Sequence, residues 1–90
     1  MADPVIWKYL IPGSSNELDI PKNSRLLSVG LKDKEIYLWA LVDPEAEQES
    51  KIVHVFATGE GITYNTGALK FIGTVIDEDG LVWHVFEEVK

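Results

Sequence analysis

Apolar and polar positions alternate along most of the chain with the period of an extended strand. In "VIWKYLIP", Val5, Trp7, Tyr9 and Ile11 fall on one side, Ile6, Lys8 and Leu10 on the other, and Pro12-Gly13 ends the run. After the polar stretch "GSSN", "ELDIP" places Leu18 and Ile20 on a shared face. Pro21 limits it, because proline removes a ladder donor, and a short edge strand is predicted. "RLLSVGL" and "IYLWALV", joined by the polar turn "KDKE", predict a hairpin. Leu27, Val29 and Leu31 are expected to alternate inward. In the second arm Tyr37, Trp39 and Leu41 occupy one face and Ile36, Leu38, Ala40 and Val42 the other, so both faces are apolar. That pattern fits a central strand or one covered by another element or subunit.

"DPEAEQES" then interrupts the pattern with a run of acids, read as a solvated loop in which "PEAEQ" has the makings of one helical turn capped by Asp43. "KIVHVFATG" resumes alternation, with Ile52, His54 and Phe56 in phase, and the glycines of "GEGITYNTGA" break it again. The last pair, "LKFIGTVI" and "LVWHVFEEV", flanks "DEDG", whose Asp79-Gly80 suits positive φ and predicts a second hairpin. About seven short strands and no convincing amphipathic helix predict an all-β domain spanning residues 1–90. The expected architecture is a small antiparallel β-sandwich or barrel with β-hairpins. "HVF" occurs twice, at His54 and His84, but the flanks "ATGEG" and "EEVK" share nothing, so no internal repeat is inferred. Trp7, Trp39 and Trp83 obey the strand alternation and are expected in the core.

Composition narrows the function classes. The 90 residues carry a net charge of −7 and no cysteine. Disulfide frameworks, cysteine-ligated zinc, iron-sulfur clusters and a thiol nucleophile are thereby excluded. Such acidity opposes binding to a phosphate backbone, so no direct nucleic-acid partner is expected. "IYLWALV" is too short to span a bilayer and "MADPVIWKYLIPG" lacks the features of a signal peptide. Those features lead to the expectation of a cytoplasmic protein with no membrane partner.

The segments "IWKYLIP", "LWALVDP", "FIGTV" and "LVWHVFE", in that order, resemble a family of small uncharacterised proteins of bacteriophages and prophage-bearing bacteria. The resemblance covers Ile6 to Glu87. It implies a phage-type accessory protein acting in the infected cell, in the host cytoplasm, and it brings no assigned catalytic residues.

Candidate chemistry is sparse. His54 and His84 offer two metal ligands where a catalytic zinc site needs three, and spacing specifies no third, so neither a metal nor a cofactor is assigned. A His-dependent metal-binding protein or enzyme is the least favoured alternative. No G-x-S-x-G sequence marks a nucleophilic serine, so no catalytic residue is assigned and the chain is read as non-enzymatic. The glycine-rich loop lacks the G-K-S/T of a phosphate-binding loop. The expected role is binding to a host protein, a defence or regulatory factor, through the acidic loop (Asp43, Glu45, Glu47, Glu49), with Glu60 and Tyr64, and through exposed strand edges. A homo-oligomer is expected from the doubly apolar "IYLWALV". The alternative is a module sequestering a small-molecule ligand in a pocket near residues 59–67, with Tyr64 stacking on it.

Overall fold

The computed structural model describes residues 3–89; Met1, Ala2 and Lys90, the ends of the expected domain, lie outside the described residues. Seven strands form among the described residues: β1 (Val5–Leu10), β2 (Ser15–Pro21), β3 (Arg25–Lys32), β4 (Glu35–Val42), β5 (Gln48–Ala57), β6 (Leu69–Ile76) and β7 (Val82–Glu88). They make two antiparallel sheets, one in the order β1-β4-β3 and the other β2-β5-β7-β6. The all-β antiparallel expectation holds, and the doubly apolar β4 is indeed a central strand.

The sheets meet through one alternate set of side chains. Leu38, Ala40 and Val42 from β4 face Leu18, Ile20, Val53, Val55 and Val85 from the four-stranded sheet, with Ile11 joining them from the β1–β2 connection. Each large apolar side chain so buried contributes on the order of 2 kcal/mol. Pairing across β1 and β4 places Val5, Trp7 and Tyr9 opposite Val42, Ala40 and Leu38, so these strands share an inward face. The chain crosses between sheets at residues 11–14, where Ile11 donates its N–H to Ile36 and Val55 donates to Ser14. Asn16, buried at this corner, accepts from the Gly13 N–H and donates to the carbonyls of Gly13 and Val53. The Tyr9 hydroxyl is buried without a hydrogen-bond partner, and burial pushes its pKa up.

Both predicted hairpins form. Asp33 and Lys34 take φ of 51° and 68°, the left-handed conformation at both central positions that a two-residue turn of primed type requires. The β6–β7 turn is organised differently from the expectation. Gly80 has positive φ but Asp79 does not, and the controlling residue is Asp77. Its carboxylate accepts from the N–H groups of Asp79 and Leu81 and from the Trp83 indole.

Two further expectations are corrected. A bulge between Leu26 and Ser28 turns Leu26, not Leu27, inward beside Val29, and leaves Leu27 exposed. One extra residue reverses the alternation on its N-terminal side, which a strict period of two does not anticipate. The tryptophans are not a common core: Trp83 packs against it, Trp7 is 40% exposed, and Trp39 lies on the outer face across from Ser28. Trp39 obeys alternation, but on the wrong side of a strand whose two faces are equally apolar. There it neighbours Tyr37, whose ring is flanked by the ammonium groups of Lys8 and Lys32 at 5.4 and 5.8 Å.

The sheets come closest along β3 and β6. A Cβ at Gly73 would lie 2.8 Å from the Val29 Cγ2, so glycine is required there by the neighbouring strand. A second bulge, between Phe71 and Gly73, bends β6 at this point.

Candidate functional site

The recurrence of "HVF" resolves into a local antiparallel pairing. Val55 lies opposite Val85, His54 opposite Phe86, and Phe56 opposite His84. Both valines point into the core, and both histidines point to the outer face at diagonal corners of the pair. The phenylalanines between them join an aromatic cluster, with Phe56–Phe86 and Phe71–Phe86 ring centroids 5.9 and 5.3 Å apart.

Each histidine has its own polar environment. The His84 ring nitrogens are satisfied by the hydroxyls of Thr58 at 2.7 Å and Thr74 at 3.1 Å. His54 is 2% exposed, covered by Tyr64 with ring centroids 4.3 Å apart. Its Nδ1 lies 3.0 Å from the Ser15 Oγ and its Nε2 lies 3.0 Å from a Glu88 oxygen. With Glu88 ionised and the imidazole neutral, Nε2 carries the ring proton and Nδ1 accepts from the serine hydroxyl. The Tyr64 hydroxyl is 3.5 Å from the same Oγ. No group of three His, Asp or Glu side chains among the described residues is arranged to hold a metal ion.

Tyr64 reaches His54 because the 58–68 segment folds back over the sheet. Glu60 anchors its start by accepting from the Ala57 N–H, and Asn65 caps the short 3-10 turn Thr66–Ala68 by accepting from Gly67. The ring of Tyr64 thus packs, tilted by 42°, against the protein's own imidazole. Glu60 instead borders a cleft of about 290 Å³ between the sheets, alongside Gly13, Ile36, Val55 and Trp83.

The acidic loop sits elsewhere. Asp43 and Glu60 lie beyond opposite ends of β5, whose ten residues extend about 30 Å, so the six sequence-nominated residues do not form one site. Asp43 follows Val42, the partner of Val5, and so stands at the start of β1 with Glu45 beside it. The Asp43 carboxylate accepts from the Glu45 N–H and its carbonyl from Ala46, giving one capped turn instead of a helix. Glu47 pairs with Lys22 at 3.3 Å in a solvent-exposed contact. Glu49 turns toward a groove of about 460 Å³ shared with Glu17, Ser50, Ile52 and Glu88.

Two features escaped the reading of the sequence. Ser15 and Glu88 meet His54 only through the β2–β5 register and the proximity of β7, and neither bears a local motif. The other is the state of the four sheet edges. β2 carries Glu17 and Asp19 and stops at Pro21, β3 and β6 are bulged and lie against each other, but β1 pairs without interruption from Val5 to Leu10. Lys8 is its lone charge, and Val5, Ile6, Trp7 and Leu10 are 38–59% exposed.

No helix among the described residues is long and apolar enough to cross a membrane. The family model "Domain of unknown function (DUF7352)" matches residues 3–90. No curated protein and no solved structure matches the chain.

Proposed function

We propose, for a chain that belongs to the DUF7352 family of domains of unknown function, the role of a phage-type accessory protein that binds a host protein in the cytoplasm of the infected cell. The surface that would do so is the open edge of β1, to which an extended segment of the partner adds as a fourth strand of the smaller sheet.

The observation that carries this reading is the contrast among the edges. An unpaired strand edge offers a row of backbone donors and acceptors, and proteins ordinarily blunt it with charge, proline, bulges or cover. Three edges here combine or rely on those devices, whereas β1 has a single charge, Lys8, and presents four large apolar side chains. Main-chain hydrogen bonds would supply affinity, and alternate side chains on the added strand would meet Ile6 and Leu10 on one face and Val5 and Trp7 on the other. Asp43 and Glu45 at the head of β1 favour a partner segment flanked by basic residues and speed its encounter.

The test is a comparison of the unaltered chain with the double variant Ile6→Lys, Leu10→Lys, both purified from phage-infected cells and weighed by native mass spectrometry. Those side chains point outward, so the variant keeps the core and gains the charge that protects other edges. The unaltered chain is expected to carry a host polypeptide that the variant lacks. A polypeptide retained by the variant, a bound small molecule in its place, or a second copy of the chain as the lone companion contradicts the reading.

A further inference from the structure

Ser15, His54 and Glu88 form a hydroxyl–imidazole–carboxylate line on the outer face of the larger sheet, which the binding role leaves unused. Its two links are both 3.0 Å, within hydrogen-bond reach, so that the serine proton can pass to the imidazole while the carboxylate orients the ring. The arrangement is graded in depth. The Ser15 residue is exposed, the imidazole side chain is 3% exposed, and the carboxylate is one-third exposed behind it. A general base shielded from water and oriented by a carboxylate is what a serine needs to react as a nucleophile, and this constellation is recognised by geometry and not by sequence position.

We infer that Ser15 is an activated nucleophile that accepts the acyl group of a small uncharged ester. In the first half-reaction the Ser15 Oγ forms a bond to the carbonyl carbon while its proton passes to His54 Nδ1, leaving an imidazolium held at Nε2 by Glu88. The Tyr64 hydroxyl, 3.5 Å from Oγ, is placed to donate to the carbonyl oxygen as it gains charge. Collapse of the tetrahedral species breaks the bond to the leaving alkoxide, which takes the proton back from Nδ1. Water then repeats the sequence, giving the carboxylic acid and restoring the serine.

Room for the substrate lies two residue pairs along the ladder, on the same face. Ser15 pairs with His54 and Glu17 pairs with Ile52, and Glu17 and Ile52 line the groove of about 460 Å³ that also contains Ser50 and Glu88. Its walls carry Glu17, Glu49 and Glu88 against the single cation Lys51, which disfavours anionic esters.

The experiment uses the full chain and p-nitrophenyl acetate, following p-nitrophenol release and locating the acetyl group by peptide mass spectrometry. A burst of one equivalent per chain with acetyl on Ser15 is expected. Ser15→Ala, a change at an exposed position, should abolish the burst. Glu88→Gln should slow it by about tenfold or more, since the imidazole then loses its orienting charge. Release no faster than with an equal concentration of free imidazole overturns the inference, as does a burst that survives Ser15→Ala or an acetyl group found on a lysine or on Tyr64. Because β1 lies on the other sheet, the Ile6→Lys, Leu10→Lys variant should keep the burst, which separates this inference from the binding reading.

Discussion

At the scale of single residues, the folded state depends on positions whose role comes from a neighbour distant in sequence. Gly73 is such a case. The Val29 methyl 2.8 Å from where a Cβ would stand belongs to a β-branched side chain with little freedom to turn away. Gly73→Ala is therefore expected to destabilise the chain by about 1–3 kcal/mol. Urea unfolding should show a lower midpoint with an unchanged slope; an unchanged midpoint would mean that the β3–β6 contact is looser than described. Glycine in "FIGTV" looks like an ordinary weak strand residue until the packing is known. Trp39 was misread for the related reason that alternation assigns residues to faces without saying which face is inside. Val53, Val55 and Val85 were legible as strand residues, whereas the depth of His54 depends on Tyr64 arriving from ten residues downstream.

At the scale of elements, strands and hairpins were readable because their signals are local: alternation, a polar turn, a glycine near the turn. The β6–β7 turn adds a pH dependence. Asp77 is held below the usual aspartate range, chiefly by the Trp83 indole donating to it and further by the backbone N–H groups of Leu81, Asp79 and Gly80. A carboxyl group whose pKa is lower folded than unfolded contributes stability that is fully present above its unfolded value of about 4 and is lost as pH falls through its folded value. The Trp83 indole proton resonance should hold steady from neutral pH down to about 4 and shift below it. Asp77→Asn should remove that acid-sensitive step; a step retained in the variant would assign it to another carboxylate. Bulges, by contrast, are poorly encoded locally, and the one at Leu26–Ser28 moved Leu27 to the surface.

At the scale of the whole molecule, two sheets share one core and leave very different outer surfaces. The larger sheet covers His54 on its outer face with its own loop, ring against ring, and leaves Ser15 exposed beside it. The smaller sheet ends in β1, open and largely apolar. Neither feature was visible in the sequence, because which strand becomes an edge, and which serine meets which histidine, follow from strand order and register. The nominated acidic residues were found by composition, which reports charge but not place; of these, Asp43 and Glu45 border β1. The binding role proposed for the chain rests on a partner strand adding to β1. The most direct measurement is hydrogen–deuterium exchange of the chain alone and in the complex recovered from infected cells. Residues 5–10 are expected to gain protection in the complex while residues 59–68 are unchanged; protection gained at 59–68 with β1 unaltered would contradict strand addition.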